Sequence, residues 1–537
     1  MTTDYEVYDY VIVGAGPAGC VVANRLTEDP DVSVLLLEAG HRDSSRWIHI
    51  PIGLGRILQR RLFDWGYAAE PQDNLNGRQL PCLRGKVLGG TSSINSMTYV
   101  RGNRGDYERW AANGLPEWSY EKVLPYFKKL ESWEGGASEF RGDRGPVWVQ
   151  TSRYNDPLVE AYLAAAAECG YPLTDDYNAA SQEGFSLIQS MIRKGRRVSA
   201  ATAYLRPALR RRNLKLQVSA QASRVVFDGR RAVGVEYVCG GKVRVVRAER
   251  EVILSGGAIN SPQFLLLSGI GPADELAQLG ITVKHDSPGV GRNLQDHVAA
   301  GVSYLRNGLG PFARNLRLDR IAIAMLQAEL FGTGFAAEVP SRWMAFVKSQ
   351  PNLELPDIQL QFRAGPLDAR PYLPPFTRPF ADGFTCRAVV SRPRSRGRVT
   401  LASADPLLAA KIQFNALSEP EDWATLRAGL RIARQLGETS AVRPFVEREL
   451  TPGADRTSDA NLDQHIRKTA TGADHPLGTC KMGPDSDPMA VVDANLRVRG
   501  VERLRVVDAS VMPDLTGGNI VGPIYMIAER AADLIKA

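Results

Sequence analysis

The chain has 537 residues, 44% of them hydrophobic, which is enough to bury a large core and to form more than one domain. Its formal charge of +7 is modest for this length, and its tight basic clusters (residues 196–197 and 210–212) lack interleaved aromatic residues, so we expect no nucleic-acid partner. No apolar run approaches the roughly 20 residues of a transmembrane helix, and the acidic N-terminus does not resemble a signal peptide. The six cysteines are scattered without paired metal-ligand spacing. We therefore expect no metal site and a cytoplasmic protein with reduced thiols, in peripheral contact with the inner face of a membrane at most.

The first predicted elements form a nucleotide-binding unit. An apolar strand at residues 10–13 precedes Gly14, Gly16 and Gly19, and a helix is predicted at residues 18–26. Three glycines at this spacing permit a tight turn, close approach of the backbone to a pyrophosphate, and close packing of helix on strand. The phosphates would then lie at a helix N-terminus, where free N–H groups and the helix dipole favour anions.

A second strand is predicted at residues 32–37, and it ends in Glu38. This carboxylate suits the hydroxyls of an adenosine ribose, and its charge would repel a 2′-phosphate. The two strands and their turn together predict a dinucleotide site.

A second glycine-rich segment covers residues 84–95 and is dense in small residues and hydroxyls. Such a segment lets the backbone approach a flat or phosphorylated ligand, with Asn95 available as a hydrogen-bond donor. By itself the pattern fits a flexible surface loop as well.

The strand–turn–helix pattern recurs in separated pieces. Residues 251–255 are predicted as a buried strand, followed by the turn Gly256-Gly257 and a helix, and residues 504–508 as another strand. Residues 306–385 have a different sequence pattern, in which apolar helical segments alternate with loops rich in proline and aromatic residues. The fold class is therefore predicted as α/β, a Rossmann-like nucleotide domain and a second α+β domain with a mixed or antiparallel sheet covered by helices. The expected ranges are 1–155, 206–305 and 461–537 for the nucleotide domain, and 156–205 and 306–460 for the second domain.

Four ordered motifs carry a resemblance to a known family. They are the glycine fingerprint, residues 85–108 with Gly89-Gly90-Thr91-Ser92, residues 257–271, and residues 288–297. In the third motif Phe264 stands where an aliphatic residue is usual. Over essentially its full length, the chain resembles the glucose–methanol–choline (GMC) oxidoreductases, in particular bacterial FAD-dependent alcohol, choline and sorbose dehydrogenases.

The resemblance implies FAD as the cofactor. Some relatives attach FAD covalently through a histidine in the first signature, but Ile94 stands at that position here. A non-covalent flavin is therefore expected. The implied cofactor-binding residues are Gly14, Gly16, Gly19, Glu38 and Ala39 at the ADP half, Ala222 at the adenine, Val87, Gly90, Thr91, Asn95, Met97 and Thr98 along the ribityl chain and the isoalloxazine, Asp508 and Ala509 by the phosphate and ribityl groups, and Val521.

Oxidation of an alcohol requires a base for the hydroxyl proton and an acceptor for the carbinol hydride. Histidine is the side chain best suited to proton transfer near neutral pH. Among the six histidines, His475 matches the active-site histidine of the family, and His297 is expected to be a buried scaffold partner. The remaining four are interpreted as surface or structural residues: His41, His49, His285 and His465.

Asn519 matches the second catalytic position, where relatives have histidine or asparagine. Asparagine cannot act as a base at pH 7, so it would bind and orient the substrate hydroxyl. The sequence then predicts a helix with Pro523 near its start, and in the family the N-terminus of this helix faces the flavin, where its dipole would stabilise the reduced ring.

The expected function is FAD-dependent oxidation of a small-molecule alcohol to an aldehyde or ketone, with oxygen, a quinone or another carrier as electron acceptor. Two alternatives stay open. The first is another flavin-dependent reaction on the same fold, since relatives include a hydroxynitrile lyase and a light-driven fatty-acid decarboxylase. The second is a flavin-binding protein without catalysis, against which the intact His475 and Asn519 argue.

Two segments leave alternatives open. Residues 357–363 alternate polar and apolar side chains, which predicts a strand with two faces. Arg363 stands where bacterial alcohol dehydrogenases of the family tend to have an apolar residue. Arg363 would either bind an anionic group of the substrate or belong to the scaffold. The sequence favours the second interpretation, in which Arg363 reaches solvent or pairs with an acid such as Asp368.

Residues 321–331 predict either a core-packed lid helix, which the sequence favours, or an amphipathic patch that contacts a membrane or a quinone.

Overall fold

The computed structural model describes residues 5–366 and 368–537, which form two large β-sheets, each with its own hydrophobic core. The strands are β1 Val7–Val13, β2 Val34–Leu37, β3 Glu131–Trp133, β4 Val147–Thr151, β5 Gly184–Leu187, β6 Gln189–Ser190, β7 Ile192–Arg193, β8 Arg196–Arg197, β9 Leu214–Gln217, β10 Ala220–Asp228, β11 Arg231–Cys239, β12 Lys242–Leu254, β13 Ile270–Gly271, β14 His285–Asp286, β15 Val298–Arg306, β16 Trp343–Val347, β17 Ile358–Ala364, β18 Gly383–Val390, β19 Arg398–Thr400, β20 Lys411–Gln413, β21 Val446–Thr451, β22 Thr471–Gly472 and β23 Leu504–Val506. The helices are α1 Pro17–Leu26, α2 Arg46–His49, α3 Gly53–Arg60, α4 Arg104–Ala112, α5 Tyr120–Leu130, α6 Pro157–Glu168, α7 Arg206–Ala208, α8 Gly257–Leu267, α9 Ala273–Gln278, α10 Pro311–Asn315, α11 Leu318–Phe331, α12 Pro420–Glu438, α13 Asp459–Thr469 and α14 Val521–Lys536.

The first sheet has the order β10-β11-β12-β1-β2-β9, and β23 pairs with the end of β12. Strands β1, β2, β9 and β23 run parallel to the C-terminal part of β12, whereas β10 and β11 add an antiparallel extension. Strand β2 is buried at every position, as a strand of a parallel sheet covered on both faces should be. Helices α1 and α14 pack against each other in the core of this sheet.

The second sheet has the order β21-β15-β18-β17-β16-β5, and its strand pairs are antiparallel. Helix α12 packs on this sheet, mainly against β18. A Rossmann-like sheet and a second antiparallel sheet covered by helices confirm the predicted fold class.

The division between the two parts differs from the expected domain ranges. Strand β15, expected within 206–305, belongs to the second sheet, and α13, expected mostly within 461–537, packs into the second core through Leu462 and Ile466. Conversely, Ala201 and Tyr204, expected in the second domain, pack into the first core. Periodicity marks the elements, but the sheet or core that each one joins depends on pairing with distant residues.

Strand β17 has the two faces that its alternation predicts. Its apolar side chains, from Ile358 to Phe362, are buried in the second core. Its polar side chains, Gln359, Gln361 and Arg363, lie on the opposite face, because successive residues of a strand point to opposite sides of the sheet.

Helix α11 is packed in an unexpected way. Its small residues Ala324 and Ala328 are buried against Ile50 and Ala336, while its large apolar side chains are exposed, with Phe331 at 73%. The expectation of a core-packed lid helix is therefore wrong for the large side chains.

Within residues 5–366 and 368–537, no helix is long and apolar enough to cross a membrane.

Candidate active site

A large cavity lies between the carboxyl ends of β1, β2 and β12 and the polar face of β17. It contains about 2100 Å³ of empty space, part of which is open to solvent. Ligands of doubly wound sheets bind outside the carboxyl ends of the strands. The structure brings most of the expected site residues to this cavity: Gly14, Gly16, Glu38, Ala39, Gly90, Thr91, Asn95, Thr98, Ala222, His475, Asp508, Ala509, Asn519 and Val521.

Three expected cofactor residues do not line the cavity. Val87 and Met97 are fully buried behind it. Gly19 lies inside the turn, where an added Cβ would come within 1.9 Å of the carbonyl oxygen of Gly14. Gly19 therefore serves the packing of α1 against the end of β1.

The first turn of α1 has the geometry of an anion site. Gly14 has a φ of +97°, which favours glycine, and Gly16 precedes α1 without a side-chain cap. The first N–H groups of the helix are thus free for a ligand. A Cβ at Gly16 would meet no protein atom closer than 4.0 Å, so its space is open on the cavity side.

Glu38 holds this turn together from the end of β2. Its two carboxylate oxygens accept hydrogen bonds from the backbone N–H groups of Ala15 and Gly40, at 2.9 and 2.7 Å. Burial raises the pKa of Glu38 to about 7 in spite of these bonds. The carboxylate thus shapes the phosphate turn and remains at the cavity surface, where a ribose hydroxyl can donate to it.

The second glycine-rich segment crosses close to the first. A Cβ on Gly90 would come within 2.8 Å of the Cα of Gly16, so the two backbones approach as only glycine allows. Asn95 accepts hydrogen bonds at Oδ1 from the N–H of Met97 and from Arg197, which leaves its amide NH₂ available towards the cavity. The segment is a built wall of the cavity, and the flexible-loop interpretation does not hold.

Asp508 lines the cavity, and its carboxylate is held by protein donors. Its carboxylate accepts hydrogen bonds from the Gly257 N–H and from the side chains of Ser261 and Ser510. Burial raises the pKa of this carboxyl. Because its oxygens face protein donors, Asp508 fixes the loops around the cavity, and the neighbouring Ala509 lines the cavity beside it.

The opposite end of the cavity contains a chain of hydrogen-bonded side chains. The Nε2 atom of His475 is 3.1 Å from Nδ2 of Asn519, and its Nδ1 is 2.9 Å from Nδ1 of His297. His297 is fully buried, and its Nε2 is 3.0 Å from the carbonyl oxygen of Ser391. The backbone N–H of His475 donates to the carboxylate of Asp296 at 2.8 Å.

This chain determines the tautomer of each ring. The carbonyl of Ser391 only accepts, so Nε2 of a neutral His297 carries the proton and its Nδ1 accepts. The Nδ1 of His475 must then donate to His297. Nε2 of His475 is consequently unprotonated and presents its lone pair to the amide NH₂ of Asn519. The side chain that the sequence indicates as a base has its basic nitrogen in the cavity.

Both imidazoles are neutral at physiological pH. Burial lowers the pKa of His297 to about 4. Burial also lowers the pKa of His475 well below its usual value, and the neighbouring His297, Arg84 and Arg387 lower it further.

Sequence reasoning missed Gln359, Asp296 and Arg387. Gln359 donates from Nε2 to Oδ1 of Asn519 at 3.3 Å, which turns the NH₂ of Asn519 towards His475. The period-2 pattern of β17 could have indicated Gln359, because it shares a face with Arg363. Arg387 lines the cavity from β18, and the sequence contains no signal for it.

Arg363 lines the cavity and is exposed to it. Among the described residues, no carboxylate lies within salt-bridge distance of Arg363, and the expected alternative pairing with Asp368 is not formed. Arg363 therefore faces the cavity, and its role there stays a prediction.

A glycine-lined anion turn at one end of a cavity and a neutral, oriented imidazole at the other define a flavin-dependent oxidoreductase. Two family models, both described as GMC oxidoreductase, match residues 8–299 and 393–528. The chain belongs to the GMC oxidoreductase family. It uses FAD and oxidises alcohols, as the resemblance in the sequence implied.

The similarity to individual relatives covers nearly the whole chain. The chain is 43% identical to the oxygen-dependent choline dehydrogenase of Brucella anthropi over 98% of its own length and 95% of that protein. It is 45% identical to the mitochondrial choline dehydrogenase of Homo sapiens, over 99% and 90% of the two proteins. Among solved structures, pyridoxine 4-oxidase from Mesorbium loti has a TM-score of 0.87 at 32% identity, with 98% of each chain covered. A variant of the Aspergillus oryzae formate oxidase has a TM-score of 0.90 at 28% identity, covering 100% of this chain and 99% of that chain.

Substitution of two glycines should separate folding from cofactor binding. Gly16→Ala should fold normally but lose most of its FAD, because the new methyl group finds room in the protein and occupies the space next to the anion turn. Gly19→Ala should destabilise the protein itself, because its methyl group would meet the Gly14 carbonyl oxygen. Thermal unfolding and the flavin absorbance of the two purified variants measure both effects. A Gly16→Ala protein with full flavin content would contradict the assignment of the turn.

The attachment of FAD can be tested on the purified protein. We expect acid precipitation to release the flavin as FAD into the supernatant, because Ile94 lines the cavity where some relatives have the tethering histidine. Absorbance and chromatography of the supernatant identify the released flavin. Yellow colour retained by the washed precipitate would show a covalent bond.

Proposed function

We propose that His475 is the base that takes the hydroxyl proton of the alcohol and that Asn519 binds the hydroxyl oxygen. The alcohol O–H would replace the amide of Asn519 as the donor to Nε2 of His475, while the alcohol oxygen accepts from Nδ2 of Asn519. When bound, FAD supplies the acceptor for the hydride that leaves the carbinol carbon. The alcohol thus loses a proton and a hydride and becomes an aldehyde or a ketone.

The observation that supports this assignment most strongly is the hydrogen-bond chain from Ser391 through His297 to His475. It leaves Nε2 of His475 as the acceptor beside Asn519, at 3.1 Å. The lowered pKa keeps the ring neutral, and only a neutral ring can take a proton. His297 is a positioning residue in this proposal, because it acts on the substrate only through His475.

Gln359 has a supporting role in orientation. Its NH₂ group binds the oxygen of the Asn519 amide, and an amide fixed in this way presents only its NH₂ to the cavity. The substrate oxygen then has a single donor to face, which holds the O–H towards His475. Orientation of this kind contributes to rate by removing unproductive poses.

Oxygen is the acceptor that we propose first, because a close relative is named as an oxygen-dependent dehydrogenase. A quinone or another carrier is the alternative. After anaerobic reduction by an alcohol, rapid reoxidation in air-saturated buffer would support oxygen. Reoxidation by a soluble quinone alone would contradict it. The cytoplasmic location and peripheral membrane contact stay predictions.

The catalytic pair can be tested by anaerobic flavin reduction. His475→Ala should retain FAD and lose roughly 10²- to 10⁴-fold in the rate of reduction by an alcohol, the usual effect of removing a positioned base. Asn519→Ala should lose less, because it orients the substrate and takes no proton. His285→Ala, outside the cavity, is the matched control and should reduce its flavin at the parental rate. A parental rate in His475→Ala would overturn the base assignment.

The pH dependence follows from the lowered pKa of His475. The group becomes inactive only when it is protonated, so kcat/KM for flavin reduction should decline at a lower pH than it would with an unperturbed histidine. The decline should have its midpoint below about 6.5, the value of an unperturbed histidine. Stopped-flow reduction across this range measures the midpoint. A midpoint at or above 6.5 would contradict a buried neutral base.

A further inference from the structure

The polar face of β17 leads away from the reacting end of the cavity. Gln359 contacts Asn519, and Gln361 and Arg363 follow on the same face at intervals of two residues. A strand rises about 3.4 Å per residue, so the backbone of Arg363 lies roughly 13 Å along the strand from Gln359. A molecule that extends from His475 along this face would therefore reach Arg363 with its far end.

The charge of Arg363 has no protein partner in the described part of the chain. Neither a hydrogen bond nor an ion pair joins its guanidinium to another described side chain, and the side chain is exposed to the cavity. The surrounding protein lowers the pKa of Arg363, and no acid raises it. A guanidinium that faces the cavity without a counterion is available to an anion that enters the cavity.

A second cation adds to this charge. Arg387 lies on the neighbouring strand β18 and donates only to uncharged acceptors, the hydroxyl of Thr471, the carbonyl of Gly472 and the amide oxygen of Gln361. Burial and the nearby Arg363 lower the pKa of Arg387 to about 10.

Two carboxylates lie near enough to raise the pKa of Arg387, Asp474 and Asp296. Asp474 is 3.9 Å from Arg84, and Asp296 accepts the backbone N–H of His475. Both are thus engaged at the His475 end. Arg363 therefore carries the positive charge at the far end of the cavity, and Arg387, opposite Gln361 on β18, lies between it and His475.

We propose that Arg363, with the charge of Arg387 beside it, binds an anionic group, such as a carboxylate, at the end of the substrate remote from the reacting hydroxyl. This assignment rests on the proposed function and specifies its substrate class as hydroxy acids with a distant alcohol group. A guanidinium fork binds a carboxylate through two parallel hydrogen bonds, which also fixes the length of the substrate. A quaternary ammonium alcohol, the kind of substrate after which the choline dehydrogenases are named, would meet like charge at this end.

The kinetic test compares ω-hydroxyalkanoates of increasing length with neutral 1-alkanols of the same lengths, in anaerobic flavin reduction. The parent enzyme should prefer the hydroxy acid at the lengths that span the cavity. Arg363→Leu should lose about 10- to 100-fold in kcat/KM for that hydroxy acid and retain its rate with the alkanol, the usual effect of one charged hydrogen-bond partner. Arg363→Lys should recover part of the loss, and Arg212→Leu, on an exposed loop, is the matched control. Equal rates with acids and alkanols at every length in the parent enzyme would overturn the proposal.

A binding measurement separates this proposal from the oxidation itself. Saturated alkanoates carry the carboxylate but no hydroxyl, so they cannot be oxidised. Calorimetric titration should show that an alkanoate of the preferred length binds the parent holoenzyme and that Arg363→Leu loses this binding. Failure of every alcohol to reduce the flavin, with alkanoate binding intact, would overturn the proposed function alone. Absence of alkanoate binding to the parent enzyme would overturn the anion site alone.

Discussion

The active site depends on one hydrogen bond, between the Nδ1 atoms of His297 and His475. Two facing Nδ1 atoms can bond only if one carries a proton and the other does not. The carbonyl of Ser391 decides which, because it requires the proton of His297 on the opposite nitrogen. Burial then keeps both rings neutral, so the basic nitrogen of His475 is specified without any charged partner on the ring.

Neutral imidazoles in a buried chain also link protein stability to pH. His297 has a pKa of about 4 in the folded protein and about 6.5 when unfolded, so the unfolded chain binds more protons between these values. Stability is therefore lost as the pH falls from 6.5 towards 4, and it is restored as the pH rises through the same window. The same burial that keeps both rings neutral makes the site a source of acid sensitivity.

Buried carboxylates fix the backbone at both ends of the cavity by accepting hydrogen bonds from its N–H groups. Glu38 binds N–H groups of the glycine turn and of Gly40, Asp508 binds the N–H of the first residue of α8, and Asp296 binds the backbone of His475. Each carboxylate fixes a loop that carries ligand-facing residues, since a backbone N–H bonded to a carboxylate has little freedom to move. Arg363 of the second sheet contrasts with them, because no carboxylate of the described residues bonds to it and its side chain lines the cavity. Relatives with the same fold can thus share the reacting end and differ in the end that selects the substrate.

The sequence by itself determined the fold class, the nucleotide turn and the identity of the two catalytic candidates. These features are local: three glycines with the adjoining strand and helix specify the turn, and His475 and Asn519 each lie in a short recognisable motif. The two faces of β17 could also be predicted, because the alternation of polar and apolar residues depends only on the two-residue period of a strand.

Only the tertiary structure decided which of these residues meet. It joined β15 to the second sheet, turned the carboxylate of Asp508 towards protein donors, and left the large side chains of α11 exposed. It also brought Ser391, His297 and His475 into one chain and set Arg387 beside Arg363. The physical reason is that tautomers, counterions and burial depend on partners that are distant in sequence, and a local pattern contains no information about them.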